Sequence, residues 1–220
     1  MTNAHQDRKT PVLAPIVIIG SGGHAKVVIE LARATGLFEV VGCTDPEPGA
    51  RAVLGAPILG ADDILPNLLE RGVRAAAVAL GANHVRARVI AKLHALGFEL
   101  PALIHPRATI SPSAVIGAGS VVMAGVVVNA DARIGAGCII NTGATIDHDA
   151  NIGQCVHIAP GSTLAGCVTI GDRTFLGAGT VVIPNIEIGA DVIVGAGAVV
   201  VRPIAANAKA YGVPARLHES

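Results

Sequence analysis

"IGAGCIINTGATIDHDANIGQCVHIAPGSTLAG", residues Ile134 to Gly166, repeats every six residues. Ile134, Ile140, Ile146, Ile152, Ile158 and Leu164 share one register. That register runs from Ile104 to Val200, and all 17 positions on it hold Ile, Val or Leu with no gap or insertion. A helix repeats at about 3.6 residues and a half-buried strand at about 2, so neither explains this spacing. Six residues suffice for one short strand and a turn, with one aliphatic side chain turned inward. Three such sides close a triangular coil of about eighteen residues, and stacked coils bury a continuous aliphatic ladder. The 17 hexads build between five and six coils. Small residues at the corners, as in "IGAGSV", "IGAGCI", "LGAGTV" and "VGAGAV", suit tight turns.

Composition fits so narrow an interior. Of 220 residues, 51% are hydrophobic but only 2% aromatic, with no Trp, one Tyr and three Phe, so the core is aliphatic. Lys plus Arg equals Asp plus Glu at 16 each, and the formal net charge is zero. A neutral chain poor in aromatics has neither the cationic surface nor the stacking platforms of a nucleic-acid binder. Cys43, Cys138, Cys155 and Cys167 form no C-x-x-C pair, which excludes a zinc ribbon or a dithiol redox motif. The start "MTNAHQDRKTP" lacks a signal-peptide core, and the apolar run Val12 to Gly20 is too short to span a bilayer. The expectation is a soluble cytoplasmic protein with reduced thiols.

The first hundred residues follow a different pattern. "PIVIIGSGGHAKVVIELARATG" reads as a buried strand over Ile16 to Ile19, a glycine turn, and a helix from about His24 to Ala34. "VVGCTDPE" reads as a second strand ending at Asp45, "LGADDILPNLLERG" as a helix, "RAAAVALG" as a third strand and "NHVRARVIAKLHALG" as a third helix. Such alternation predicts a parallel α/β sheet. Gly20, Gly22 and Ala25 match G-x-G-x-x-G/A between a strand and a helix, and Asp45 closes the next strand, near where a ribose-binding acid sits. Three readings stay open: a dinucleotide site, a site for the phosphates of a nucleotide-sugar at a helix N-terminus, or a turn that only packs helix on strand. The unit of about one hundred residues is short for a full dinucleotide fold.

Together the two halves resemble the hexapeptide-repeat nucleotide-sugar N-acetyltransferases, with the related sialic acid O-acetyltransferases and bacillosamine-pathway enzymes. "GSGGHAK", "NTGATIDHDANIGQCVHIAPGSTLAG" and the closing "YGVPAR" carry the resemblance, which covers Ile16 to Arg216. It implies an α/β N-terminal Rossmann-like domain over residues 1–103 that binds the nucleotide-sugar. It further implies a C-terminal left-handed parallel β-helix over 104–220, and a homotrimer with active sites between neighbouring subunits. The implied reaction carries acetyl from acetyl-CoA to the 4-amino group of a nucleotide-linked 4-amino-4,6-dideoxy sugar, in polysaccharide biosynthesis. The pattern sits nearer the GDP-perosamine members than the UDP-linked ones. By position, His148 is similar to the family's catalytic base, Asp149 to the acid beside it and Asn141 to an active-site asparagine. The resemblance gives His157, Gly166, Ala178 and Ala196 to acetyl-CoA, and Gly22, Gly23, His24, Asp45 and Gly60 to the nucleotide-sugar. At Ala196 several members carry Gly.

Acetyl transfer to an amine needs a proton acceptor and a donor for the tetrahedral oxyanion. An imidazole, with an ordinary pKa of about 6.5, suits the first task. A carboxylate can orient it, and Asp149 and Asp147 both flank His148. Gly166 lies three hexads beyond His148, so the register stacks it one coil above, where its amide can serve the oxyanion. Direct attack then needs no acyl-enzyme; Cys155 and Cys167 have no adjacent base in sequence. A three-histidine zinc site is short of ligands, because past His105 the repeat holds only His148 and His157, and no metal is expected. Plainer roles stay open: a solvated turn for His148, a structural hydrogen bond for His157, a surface carboxylate for Asp149 and a helix cap for His24. So do two other functions, O-acetylation of a sugar and non-enzymatic binding of a nucleotide-sugar.

Overall fold

The structure, a computed structural model, describes residues 13–47 and 51–218; the polar start read above lies outside the described residues. Seventeen two-residue strands run from Leu103–Ile104 to Val199–Val200, and the second residue of each is a ladder position. Each strand pairs in parallel with the third strand after it, as Ile139–Ile140 pairs with His157–Ile158. The first face carries the strands ending at Ile104, Val122, Ile140, Ile158, Leu176 and Val194. The second carries Ile110 to Val200 and the third Ile116 to Ile188, making a triangular prism. From Val122 to Val200 every ladder side chain is at most 3% exposed.

A second inward column accompanies the first. The fifth residue of each hexad, from Ser120 through Ala198, is buried as well. Its hydroxyls reach the next coil: Ser120 Oγ donates to the Gly135 carbonyl at 3.0 Å, and Ser162 Oγ to Gly177 at 3.1 Å. The fourth residue of each hexad, between 119 and 197, holds a left-handed backbone with φ between 52° and 72°. That conformation explains Gly, Asp and Asn there, and makes Cys155, Cys167 and Arg173 the exceptions. The period slips after Val200: Ile204 bridges Ile188, where an unbroken register would bring Ala206.

The α/β unit comprises β1 (Ala14–Ile19), α1 (Gly23–Ala34), β2 (Phe38–Thr44), β3 (Ala52–Val53), β4 (Ala56–Gly60), α2 (Leu65–Glu70), β5 (Ala75–Val78) and α3 (Asn83–Leu96). A single 3-10 turn, Asp62–Ile64, precedes α2. The sheet order is β3-β4-β2-β1-β5, parallel except for the β3–β4 hairpin. Ile16 and Ile18 pack with α1, while Val17 and Ile19 pack with α2 and α3, so the strand is buried on both sides. The hairpin is absent from the sequence reading, and β2 stops one residue before Asp45.

The two parts share one apolar core. On the first face the outward column runs Leu103, Val121, Ile139, His157, Phe175, Ile193. The first three are buried under the α/β unit; the last three emerge at its edge. Arg86 of α3 is 1% exposed and fastens this junction. Its Nε donates to Gly137 at 2.8 Å and its Nη2 to Cys155 at 2.7 Å, both carbonyls at β-helix corners. Its remaining N–H groups go to the Leu80 and Gly81 carbonyls and to Asn83 Oδ1. All five donors of the guanidinium are therefore engaged, with no carboxylate among its acceptors.

Candidate active site

The corner between the second and third faces places His148 on the third residue of its hexad. Its backbone N–H donates to Asp147 Oδ1 at 2.8 Å, and Asn129 Nδ2 donates to the same oxygen at 2.8 Å. Asp147 is thereby occupied, and the ring turns to the other neighbour: His148 Nδ1 lies 2.8 Å from Asp149 Oδ2. The hydrogen bond to Asp149, aided by the charge of Asp147, raises the imidazole above its ordinary pKa. One coil above, the ring covers the α-carbon of Gly166. A Cβ there would stand 2.6 Å from Cε1 and Nε2, so only glycine admits this approach.

The inter-coil ladder leaves Gly166 a free donor. It uses the amides of second, fourth and sixth hexad residues, as Asp147 N to the Leu164 carbonyl at 3.0 Å, Cys167 N to the His148 carbonyl at 2.9 Å and Thr145 N to the Ser162 carbonyl at 2.9 Å. It passes over the third. Thr142, Gln154 and His148 satisfy that amide with a side-chain oxygen. It has no partner among the described residues at Ala118, Ala124, Ala130, Ala136, Asp172 and Ala190, and equally at Gly166, Ala178 and Ala196. The last three are among the four positions the resemblance assigns to acetyl-CoA, so the free amide is a property of the hexad that those positions share.

The first face holds the rest. His157 Nε2 lies 3.4 Å from Asn141 Nδ2, and its ring meets Phe175 edge-on with centroids 5.1 Å apart. Burial, with the charge of Arg86 and then His24 behind it, lowers His157 to about 4, so it is neutral at pH 7. Beside it a cavity of about 430 Å³ opens between Gly81, Asn83 and His84 of the α/β unit and His157, Phe175 and Ile193.

The carboxyl ends of the α/β strands converge on this junction. Ser21 donates through both its N–H, at 3.1 Å, and its hydroxyl to Asp45 Oδ2, and Asp45 N donates to the Gly60 carbonyl at 2.9 Å. Ser21 is the main reason the Asp45 carboxyl lies below its ordinary range. Gly22 and Gly23 have open space where a side chain would sit and no positive φ, so nothing inside the chain requires glycine there. Neither α1 nor α3 has a side-chain N-cap or an acid in its first turn, which leaves two bare N-termini near the sheet's edge. His24 Nε2 is buried and has no hydrogen-bond partner among the described residues. Sequence reasoning passes over Arg86 and residues 81–84, where the loop after β5 enters α3. The available signal is Arg86 on one helical stripe with Ile90 and Leu93, a charge where an apolar residue belongs.

His148, Asp149 and Gly166 occupy the vertex opposite the first face, whereas Asn141, His157, Ala178 and Ala196 lie on that face or its far corner. One chain does not bring the two groups together.

The comparisons agree with this anatomy. Residues 15–93 match the PglD N-terminal domain, and residues 167–202 match the bacterial transferase hexapeptide (six repeats). UDP-N-acetylbacillosamine N-acetyltransferase of Bacillus subtilis (strain 168) is 41% identical over 116 residues, 50% of this chain; the match spans about half, 51%, of that relative's length. A mutant perosamine N-acetyltransferase from Caulobacter crescentus, solved with CoA and GDP-perosamine, is 48% identical. Its TM-score is 0.91 over 95% of this chain and 99% of that one. The acetyltransferase domain of PglB from Neisseria gonorrhoeae FA1090, solved with acetyl coenzyme A, is 41% identical with a TM-score of 0.88, over 94% of this chain and all of that one. Fold and likeness together define a hexapeptide-repeat acyltransferase joined to a Rossmann-like α/β unit. More narrowly, the chain belongs to the nucleotide-sugar N-acetyltransferases of the hexapeptide-repeat class, which take acetyl-CoA as co-substrate.

Proposed function

We propose that the protein acetylates the 4-amino group of a nucleotide-linked 4-amino-4,6-dideoxy sugar, with His148 as general base. The observation that carries this reading is the His148 ring lying against the Gly166 α-carbon, Nδ1 on Asp149, beside an unused amide. In the reaction Nε2 accepts the amine's proton as nitrogen attacks the thioester carbonyl. The Gly166 N–H stabilises the oxyanion, and the tetrahedral adduct collapses with release of the CoA thiol. Asp149 holds the ring and stabilises the imidazolium. No acyl-enzyme forms.

The division of the site supports a ring of three copies in which the vertex of one chain meets the first face of the next. His157, as a neutral imidazole with Asn141 beside it, then lies along the acetyl-CoA path, with the amides of Ala178 and Ala196 further along. The bare N-termini of α1 and α3, with Gly22, Gly23, His24, Asp45 and Gly60, receive the nucleotide diphosphate and sugar. GDP-perosamine is the favoured acceptor, because the relative solved with it is 48% identical and covers nearly the whole chain. Both substrates and four unpaired thiols suit the cytoplasm.

The test is CoA release from acetyl-CoA with GDP-, UDP- and dTDP-linked 4-amino sugars and a hydroxyl-sugar control. Turnover with the GDP sugar and none with the hydroxyl control is expected. His148→Ala and His148→Asn should each lose about 10²–10⁴-fold in kcat. Near-normal turnover in both variants would exclude His148 as the base.

A further inference from the structure

A thiol that the proposed reaction does not use, that of Cys167, adjoins its base and the acid beside it. One ring nitrogen of His148, a carboxylate oxygen of Asp149 and Sγ of Cys167 all lie within 4.8 Å of one another, and all three residues are exposed. The fold creates the grouping. Asp149 and Cys167 are fourth hexad residues in successive coils, with φ of 57° and 59°, so their side chains leave the corner in parallel. Cys167 N donates to the His148 carbonyl at 2.9 Å, which fixes the vertical spacing. Its thiol makes no hydrogen bond among the described residues, and its left-handed backbone is one that Gly, Asn or Asp adopts more readily.

We propose that His148, Asp149 and Cys167 form a binding site for a thiophilic divalent cation, Zn²⁺ above all, that inhibits the enzyme by displacing the proton shared between His148 and Asp149. The donor set is one sulfur, one imidazole nitrogen and one carboxylate oxygen. Three protein ligands of these types with a fourth position left to water make an open tetrahedral zinc site. Zinc bonds of about 2.0–2.3 Å place tetrahedral donors roughly 3.3–3.7 Å apart. Nδ1 and Oδ2 start at 2.8 Å and need only open slightly, while the exposed Cys167 swings inward. On binding, the thiol releases its proton to solvent, the aqueous metal sheds all but one of its waters as the three ligands bind, and the ring proton moves from Nδ1 to Nε2. Nε2 then carries a proton and cannot accept another. No oxidant or reductant takes part.

That inhibition rests on His148 being the base; the site itself does not. The experiment therefore has two arms on the full, reduced chain, using wild type, Cys167→Ser and Cys167→Asn. In the first, Co²⁺ is titrated and then displaced by Zn²⁺. The expected result is a thiolate-to-cobalt charge-transfer band in wild type, saturating at one equivalent per chain, and its loss in both variants. Cys43, Cys138 and Cys155 are buried, so the band reports on Cys167. No band in wild type, or the same band in folded Cys167→Ser, overturns the proposal. In the second arm, metal-buffered Zn²⁺ should slow acetyl transfer by wild type, and half-inhibition of the variants should need about tenfold more Zn²⁺. A Cys167-dependent band with turnover unaffected by Zn²⁺ upholds the site and overturns His148 as base.

Discussion

At the scale of single residues, the choice between Asp147 and Asp149 is decided by competing hydrogen bonds. Asn129 and the His148 amide draw Asp147 away, leaving Asp149 to the ring. The consequence is a pH dependence. As the proposed base His148 works when neutral, and its imidazole is raised above the ordinary value, so kcat/KM should rise through a midpoint above about 6.5. Asp149→Asn removes the first cause of that shift. Its acid limb should move to lower pH while the plateau falls by about tenfold or more, read from a pH–rate profile. Gly166→Ala tests the close approach: a methyl 2.6 Å from the ring must push His148 aside. We expect a loss of about 10²-fold in kcat with an unchanged circular dichroism spectrum. The stacking of Gly166 over His148 is legible in their separation by three whole hexads; the free amide is not, because it depends on which backbone groups the ladder spends.

At the scale of elements, the aliphatic ladder is fully legible, since one residue type recurs at one spacing without interruption. Ile158, wholly buried at mid-prism, measures its worth: Ile158→Ala should cost about 2–5 kcal/mol in urea unfolding. The second column, from Ser120 to Ala198, is harder to read. It mixes Ala, Val, Cys, Ser, Thr and Ile, because what it shares is restricted volume with, for some members, a hydroxyl bonded to the next coil. The β3–β4 hairpin also escapes the sequence reading. A two-residue strand has no periodicity to show, and Gly55 with Leu54 at φ 47° forms its turn in place of a familiar Asn-Gly pair.

At the scale of the whole molecule, Arg86 decides how the two parts stand to each other. Its five N–H groups fall on carbonyls of both units and on Asn83, whose Nδ2 in turn donates to the Arg173 carbonyl at 2.7 Å. Arg86→Met strands those buried carbonyls, each costing about 1–3 kcal/mol. Differential scanning calorimetry should show a lower Tm, and Arg86→Lys should recover little, since an ammonium offers three donors in place of a planar five. The same junction responds to acid. His157 titrates near 4 in the folded chain and near 6.5 when unfolded. Between those values only the unfolded chain takes the proton, so stability falls as pH falls through that window. His157→Asn should flatten this slope. An arginine whose acceptors are backbone carbonyls and one side-chain amide, with no carboxylate, leaves no charge pair to read, which is why the parts are legible in sequence and their docking is not.

The placement of His148 at the vertex opposite His157 implies that defects in different copies can compensate. In the proposed ring of three copies, chains carrying only His148→Ala and chains carrying only His157→Ala are each impaired at every site. Refolded together in equal amounts, they assemble junctions in which an intact vertex meets an intact face. Random mixing makes about one quarter of all junctions whole, so activity should return to roughly that fraction of wild type from two damaged parents.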